Sequence, residues 1–546
     1  MKEELVQCDV LCIGGGIAGL MAAIRASELG AEVVVADKAD TLRSGSGAVG
    51  CDHFHECYIP EVHGSDIEPF LEETRHAAVG APRTELLRVL CENAFEIVKM
   101  WDRWGIPMKY NGKWEFAGHA FPGHLLPALK YSGMNQKQVL TEQALKRGVK
   151  IMNWVMVFEL LGNADGVIGA LGIGTREEKL IVFQAKGVFL GTGACARLYP
   201  PSTPGWLFNV PASPFNTGDG RAMAYRLGAE LTDIEMTGRW AGPKYFARSG
   251  KATWVGVLRD PHDKPVGPFI TQPDKRYGDP AADVYTNMFD DYMKSGKGPI
   301  YMDCRGISDG DLEYMVHWLK HEGNLGILEH LTEEGIDLRK TAVEFATYEM
   351  GVRGGVNYNK KGETSIKGLY AAGDEFGVGV SGAAVIGWIA GEGATKYAKG
   401  AKSPNLEREK AKIEENKSLL QQLRGREVGA SWQEVNIALQ KIIYDYAGFI
   451  RSETLLVAGL SYIRRLKEKA SNTMIARNQH ELGRCLEALN LLDMGELVFI
   501  TANERKETRG RHVRTDYPFT NPLLDTYLLI KKTDGVPVTK WKETGH

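Results

Sequence analysis

The stretch 8-CDVLCIGGGIAGLMAAIRASELGAEVVVADK-38 decides the fold. Val10 to Ile13 reads as a short buried strand, and Gly14, Gly16 and Gly19 take the three positions of a G-x-G-x-x-G turn. Leu20 to Leu29 continue at helical spacing to Gly30, and a second apolar strand ends at Asp37. A dinucleotide needs this order. Glycines let the backbone approach a pyrophosphate, the helix N-terminus faces its charge, and the distal acid accepts a ribose hydroxyl.

At 546 residues the chain has room for two or three domains. Its 43% apolar and 25% charged residues are ordinary for a globular protein. A formal net charge of -3 predicts no broad polyanion-binding face, so nucleic acid is excluded as the main partner. Eight cysteines, at 8, 12, 51, 57, 91, 195, 304 and 485, include no C-x-x-C pair and no tight group of four. No zinc or iron–sulfur ligand set is therefore expected within the chain, and no metal. Neither a signal peptide nor an apolar run near membrane-spanning length is seen, so the expectation is a cytoplasmic protein with no direct membrane insertion.

Beyond the opening unit, long helices are expected at 66–80 and 84–105, and a Gly-, Pro-, His- and aromatic-rich loop region at about 107–136. A helix at 136–148, a strand at 150–161, a polar hairpin turn at 163–166 and a strand at 186–196 follow. Three later stretches place small residues where backbone must approach something closely: 186-KGVFLGTGACA-196, 216-NTGDGRAMAYRLGAEL-231 and 367-KGLYAAGDEFGVGVSGAAVIGWIAGEGAT-395. Together they suggest one extended ligand along a sheet edge. The irregular, Trp-, Tyr- and Arg-rich region from about 230 to 345 reads as an inserted cap, and the charged amphipathic helices after Pro404 read as a bundle. The expected organisation is an α/β, Rossmann-like dinucleotide-binding domain in two parts, 1–229 and 345–403. An α+β capping domain at 230–344 interrupts it, a C-terminal helical domain follows at 404–518, and a tail at 519–546 packs in extended form against another surface.

The glycine fingerprint, the LGTG turn, NTGDG, GLYAAGDEFG and 503-NERKETRGRHVRTDYPFTN-521 occur in an order that resembles the flavoprotein subunits of the succinate dehydrogenase and fumarate reductase superfamily. That group includes L-aspartate oxidase and the alpha subunit of adenylylsulfate reductase. The resemblance implies FAD in the first domain. By matched positions, Gly14, Gly16, Ile17, Ala18, Gly19, Asp37 and Lys38 would hold the ADP half, and Ser44, Gly45, Ser46, Gly47 and Ala48 would run past the pyrophosphate and flavin. Val157 would meet the adenine side, Thr192, Gly193 and Asp219 the middle of the cofactor, and Asp374 the ribityl chain. The helix carrying Gly382, Ala384 and Val385 would aim its N-terminal N–H groups at the flavin C2 carbonyl, stabilising reduced flavin.

The departures from the family pattern carry as much information. Members that attach flavin covalently do so through a histidine in R-S-H, whereas this chain reads 43-RSGSGAVG-50, which implies non-covalent FAD. Glu235, Thr347 and Val385 stand where the dicarboxylate enzymes place two histidines and an arginine, and no R-G-E-G-G segment is present. Succinate and fumarate are therefore disfavoured, because a buried dicarboxylate needs cations at both ends. The cap opening and 299-PIYMDCRG-306 look somewhat more like the adenylylsulfate reductase alpha subunit. Candidate catalytic residues facing the cap cleft are Arg239, Trp240, Glu235, Tyr348, Arg353 and His119, with Lys244, Glu349 and His124 nearby. Arg505, Arg509, Arg511 and Arg514 read first as contacts between the helical and dinucleotide domains.

The leading expectation is a non-covalent FAD oxidoreductase acting on a small organic substrate. It would exchange electrons through a ferredoxin-like iron–sulfur subunit, since neither a cluster motif nor a second dinucleotide fingerprint is present, and so would form part of a hetero-oligomer. Two alternatives stay open: a sulfur-centred reductase resembling adenylylsulfate reductase, and an electron-relay subunit with no substrate of its own.

Overall fold

The computed structural model describes residues 1–77, 83–116, 127–201, 207–210, 212–244, 246, 254–266, 270–276, 286–375 and 379–543. The chain opens with β1 (Lys2–Ile13), α1 (Ile17–Glu28) and β2 (Val33–Asp37). Val10, Leu11 and Cys12 are wholly buried because β1 lies at the centre of a sheet covered on both faces. The helix α2 (Gln136–Lys146) leads into β3 (Lys150–Asn153), β4 (Val155–Asn163), β5 (Gly166–Gly174) and β6 (Lys179–Leu190). The strand expected over 150–161 is broken at Trp154, whose φ of 63° leaves the extended region. The polar hairpin turn between β4 and β5 falls where the sequence puts it.

The helix α3 (Asp219–Leu227) precedes the cap. The cap is built on an antiparallel sheet of β7 (Thr237–Pro243), β8 (Val257–Arg259), β9 (Ile300–Asp303) and β10 (Val343–Val352), in the order β7-β10-β9-β8. The helix α4 (Asp309–His321) packs on it, and Trp254, Met302, Met315, Leu319 and Phe345 belong to a core separate from that of the main sheet. The expected boundary at 344/345 falls inside β10, so this strand carries cap residues directly into the first domain.

The chain returns to the main sheet with β11 (Leu369–Ala371), parallel to β6, completing a seven-stranded sheet ordered β3-β2-β1-β6-β5-β4 with β11 beside β6. The small-residue helix α5 (Gly379–Gly400) then crosses α1. Glycine is required there, because a Cβ on Gly391 would lie 2.4 Å from the carbonyl oxygen of Ala22. The C-terminal helices α6 (Trp432–Ala447), α7 (Glu453–Thr473) and α8 (Gln479–Glu504) pack together, with Gly459 of α7 against Phe499 of α8. The architecture is the expected one: an α/β dinucleotide domain, an inserted cap and a helical C-terminal domain. Among the described residues no helix is long and apolar enough to cross a membrane.

The tail goes beyond its sequence reading. Residues 526–543 form a hairpin, β12 (Thr526–Thr533) and β13 (Val536–Glu543), turning at Asp534-Gly535 with both φ angles positive. An Asp-Gly pair between alternating strands is the standard hairpin signal. β12 pairs antiparallel with Leu231–Thr232 at the entrance to the cap.

Candidate active site

The glycine turn after β1 is packed backbone to backbone. A Cβ on Gly14 would sit 2.5 Å from the Gly191 carbonyl oxygen, and one on Gly19 would sit 1.8 Å from that of Gly14. Only glycine lets the β1 and β6 turns meet over α1. Gly16 caps α1 without any side-chain acceptor, and the first helical turn has no acid. The free N–H groups of Gly16, Ile17 and Ala18 and the helix dipole thus form an anion site, which is what a dinucleotide diphosphate requires. Asp37 sits beside it, with Oδ2 accepting from Gly15 N at 2.7 Å and Ser44 Oγ at 3.1 Å, and Oδ1 from Ala39 N at 2.8 Å.

The second loop, Ser44–Ala48, is held at several points. Asn216 Nδ2 donates to Ser46 Oγ at 3.0 Å, and Gln136 Nε2 donates to the Gly47 carbonyl at 2.8 Å. Gly45 has a φ of 77° and no heavy atom within 4 Å of where its Cβ would be, so the loop opens onto empty space there. The cap closes on the far end of this loop: Cβ atoms on Gly50 and Gly323 would meet the carbonyl oxygens of His321 and Val49 at 2.4 and 2.3 Å.

The LGTG turn is fixed by a residue with no counterpart among the sequence-based candidates. Glu375 Oε1 accepts from Thr192 N at 2.7 Å and Thr192 Oγ1 at 2.5 Å, and Thr192 Oγ1 in turn accepts from Gly220 N at 2.9 Å. Glu375 is wholly buried, and burial pushes its carboxyl up to about 7 against the pull of Arg221 and the Thr192 hydrogen bonds. Gly193 packs on the Asn216 amide. The neighbouring Asp374 is described only in its backbone. Val157 is buried in β4, and Gly382, Ala384 and Val385 are buried in the first turns of α5, where Ser381 Oγ donates to Glu56 at 2.5 Å.

Lys38 and Asp219 take a different place from that implied by the resemblance. Lys38 Nζ lies 2.7 Å from Asp219 Oδ2 and 2.8 Å from Glu487 Oε1 of α8, and Asp219 Oδ1 also accepts from Thr217 and Asn490 at 2.8 Å each. Both side chains therefore join the dinucleotide domain to the helical domain.

Four of the candidate catalytic positions come together on β7 and the end of β10. Arg239 pairs across the sheet with Glu349 and Trp240 with Tyr348, next to a register shift at Gly238/Arg239. Arg239 Nε is 3.5 Å from Glu349 Oε1, and its guanidinium stands 4.3 Å from the centre of the Phe449 ring. Tyr348 Oη donates to the Pro243 carbonyl at 2.9 Å, and the Arg353 side chain lies over Gly238. The Trp240 side chain, His119 and His124 lie outside the described residues.

Glu235 stands apart. It is fully buried 2.6 Å from Arg505 Nε, its carbonyl oxygen accepts from Arg451 at 2.7 Å, and Arg505 is held in turn by Glu507 at 2.9 Å. Burial pushes the Glu235 carboxyl up to about 7 against the pull of Arg505. The basic C-terminal run thus packs as an interdomain ion network, with Arg509 on Glu507 and Arg514 on Asp516. A further buried group, Asp52 between His53 and Lys130 at 2.7 Å each, lies just past the second loop, and burial lowers His53 to about 4. Among the described residues no group of three or more His, Cys, Asp or Glu is arranged to hold a metal ion.

Comparison with known proteins agrees with this geometry. Residues 9–387 match the FAD binding domain family, and residues 436–533 match the fumarate reductase flavoprotein C-terminal family. A relative from Methanothermobacter marburgensis, the first of the named subunits of its fumarate reductase (CoM/CoB), is 25% identical over 97% of this chain and 98% of its own. L-aspartate oxidase of Vibrio cholerae is 26% identical over 94% of this chain and 96% of its own. Adenylylsulfate reductase from Archaeoglobus fulgidus shares the fold with a TM-score of 0.88 at 22% identity, covering 99% of this chain and 96% of that one. With an FAD-binding match over most of its length and the fumarate reductase C-terminal match behind it, the chain belongs to the succinate dehydrogenase/fumarate reductase flavoprotein superfamily and is an FAD-dependent oxidoreductase.

Proposed function

We propose that this flavoprotein oxidises or reduces a small organic substrate other than succinate or fumarate, using non-covalent FAD and exchanging electrons through a separate iron–sulfur subunit. The observation that carries the reading is the Glu235–Arg505 pair at 2.6 Å. The dicarboxylate enzymes place a cationic side chain in this slot, whereas here a buried acid occupies it and is already committed to an arginine of the C-terminal segment. A substrate carboxylate brought there would meet like charge. Thr347 and Val385, in the other two slots, offer no charge.

FAD supplies the hydride acceptor or donor when bound. The Ser44–Ala48 loop and the glycine turn would hold it, and the N-terminal turn of α5 would face its ring system. The chain's own contribution to substrate lies on the cap. Arg239, oriented by Glu349 and the Phe449 ring, and Arg353, lying over Gly238, would bind an anionic or carbonyl group. Tyr348, positioned by Pro243, stands one pair along the same strands as a hydrogen-bonding group. The electron partner is inferred from the single dinucleotide fingerprint and the scattered cysteines, which leave the chain without a second carrier of its own.

The reading is tested by reducing the purified protein anaerobically and adding candidate oxidants one at a time while following the flavin absorbance near its oxidised band. Fumarate should leave the flavin reduced, and a reduced ferredoxin-type protein should deliver electrons to the oxidised form. Rapid reoxidation by fumarate would overturn the substrate assignment.

A further inference from the structure

Two successive buried side chains at the start of α2 each reach a backbone carbonyl in one of the two loops that frame the FAD cradle. Gln136 donates from Nε2 to Gly47 O at 2.8 Å and accepts from Tyr131 Oη at 2.7 Å. Lys137, 1% exposed, donates from Nζ to Gly15 O in the glycine turn. No described carboxylate forms an ion pair with Lys137, and Asp37 and Asp40 act on it only at longer range. A buried ammonium held by one carbonyl is costly unless an anion completes its surroundings. Burial accordingly pushes Lys137 down to about 8.

The bond to Gly15 also fixes a direction. In a planar trans peptide the carbonyl and the following N–H point to opposite sides. Gly15 N–H is held by Asp37 at 2.7 Å and Gly15 C=O by Lys137, so the peptide to Gly16 is fixed from both ends and the Gly16 N–H faces away from the lysine. Gly16 is the uncapped N-cap of α1, and its N–H is one of the orphan donors of the anion site.

We propose that Lys137 is a positioning residue for the FAD diphosphate: it locks the Gly15–Gly16 peptide so that its N–H serves the anion, and it supplies the counter-charge that the glycine fingerprint lacks. Gln136 does the equivalent steric work on the flavin-side loop through Gly47. The inference concerns how the cofactor is held and is independent of which substrate the cleft takes.

The test compares wild type, K137M and K137Q as purified flavoproteins, measuring FAD release on dilution and displacement of FAD by ADP or adenosine. K137M should weaken FAD binding by about tenfold or more, as expected for loss of a charge-assisted hydrogen bond. ADP should lose potency against the variant relative to wild type, while adenosine, which lacks the diphosphate, should keep its potency. K137Q keeps a donor for Gly15 O without the charge and should fall between the two, and it serves if K137M does not fold. Unchanged FAD retention in either folded variant, or equal losses for ADP and adenosine, would overturn the proposal.

Discussion

Lys38 Nζ at the end of β2 and Glu487 Oε1 in the middle of α8 lie 2.8 Å apart, which ties the strand that ends at the cofactor to the helical domain. Glu487 is 2% exposed and also meets Arg197 at 2.8 Å and Arg484 at 2.7 Å. Burial alone would raise its carboxyl, but Lys38, Arg197 and Arg484 together hold it below the ordinary carboxylate range.

This arrangement makes a pH prediction. A carboxyl with a depressed folded-state pKa adds stability above its unfolded value, about 4.3, and that contribution is lost as pH falls towards the folded value. Thermal unfolding of wild type should therefore show a loss of stability below about pH 5 that E487Q lacks in part. At pH 7 the variant should be less stable by about 3 kcal/mol, because cations stay buried with less counter-charge. Equal slopes below pH 5 for the two proteins would show that Glu487 is not set by these cations.

Glu235 and Arg239 are four residues apart, yet the structure gives them opposite expectations. E235A should lower the melting temperature by several degrees, since it strips a buried partner from Arg505 and costs about 3 kcal/mol. R239A, at the cap strand pair, should leave melting and flavin content close to wild type while lowering kcat/KM by about a hundredfold or more. Calorimetry and steady-state kinetics on the same preparations separate the two. A catalytic loss in E235A at unchanged stability would return Glu235 to the reaction.

Arg353 extends that comparison across the Gly238 bulge. R353A should also lose turnover at constant flavin content, and R353K should recover only part of it, because lysine offers a point charge in place of a planar fork. If R239A and R353A act on one bound group, the double variant should lose much less than the product of the single losses. Full additivity would place the two arginines on different groups.

What the sequence shows and what it hides follow from range. The glycine turn, the hairpin at Asn163–Gly166 and the helical domain are local patterns, and each is where periodicity and turn residues put it. Asp37 is read as the acid at the end of β2, but its bonds to Gly15 and Ser44 depend on loops that only the fold brings together. Lys38–Glu487 and Glu235–Arg505 join residues hundreds of positions apart, so nothing local marks them. Lys137 is an intermediate case. It occupies the same helical face as buried Leu140, Thr141 and Ala144, and a lysine in a core stripe is a visible signal of a buried partner. Asp534-Gly535 is likewise visible as a hairpin turn, although it takes the pairing of β12 with Leu231–Thr232 to show where the tail docks.

Gly45 gives the last prediction. The Ser44–Ala48 loop passes the cradle with a left-handed residue that has open space where a side chain would stand, so no nucleophilic group is available at that slot to attach a flavin. Acid precipitation should release the flavin to the supernatant, with none left fluorescent on the denatured chain in a gel. In G45H the histidine must adopt positive φ, which costs about 1 kcal/mol locally and displaces the loop from the Gln136–Gly47 bond. That variant should bind FAD more weakly than wild type and still release it to acid. Flavin that stays with wild-type pellet would mean that another side chain makes the bond.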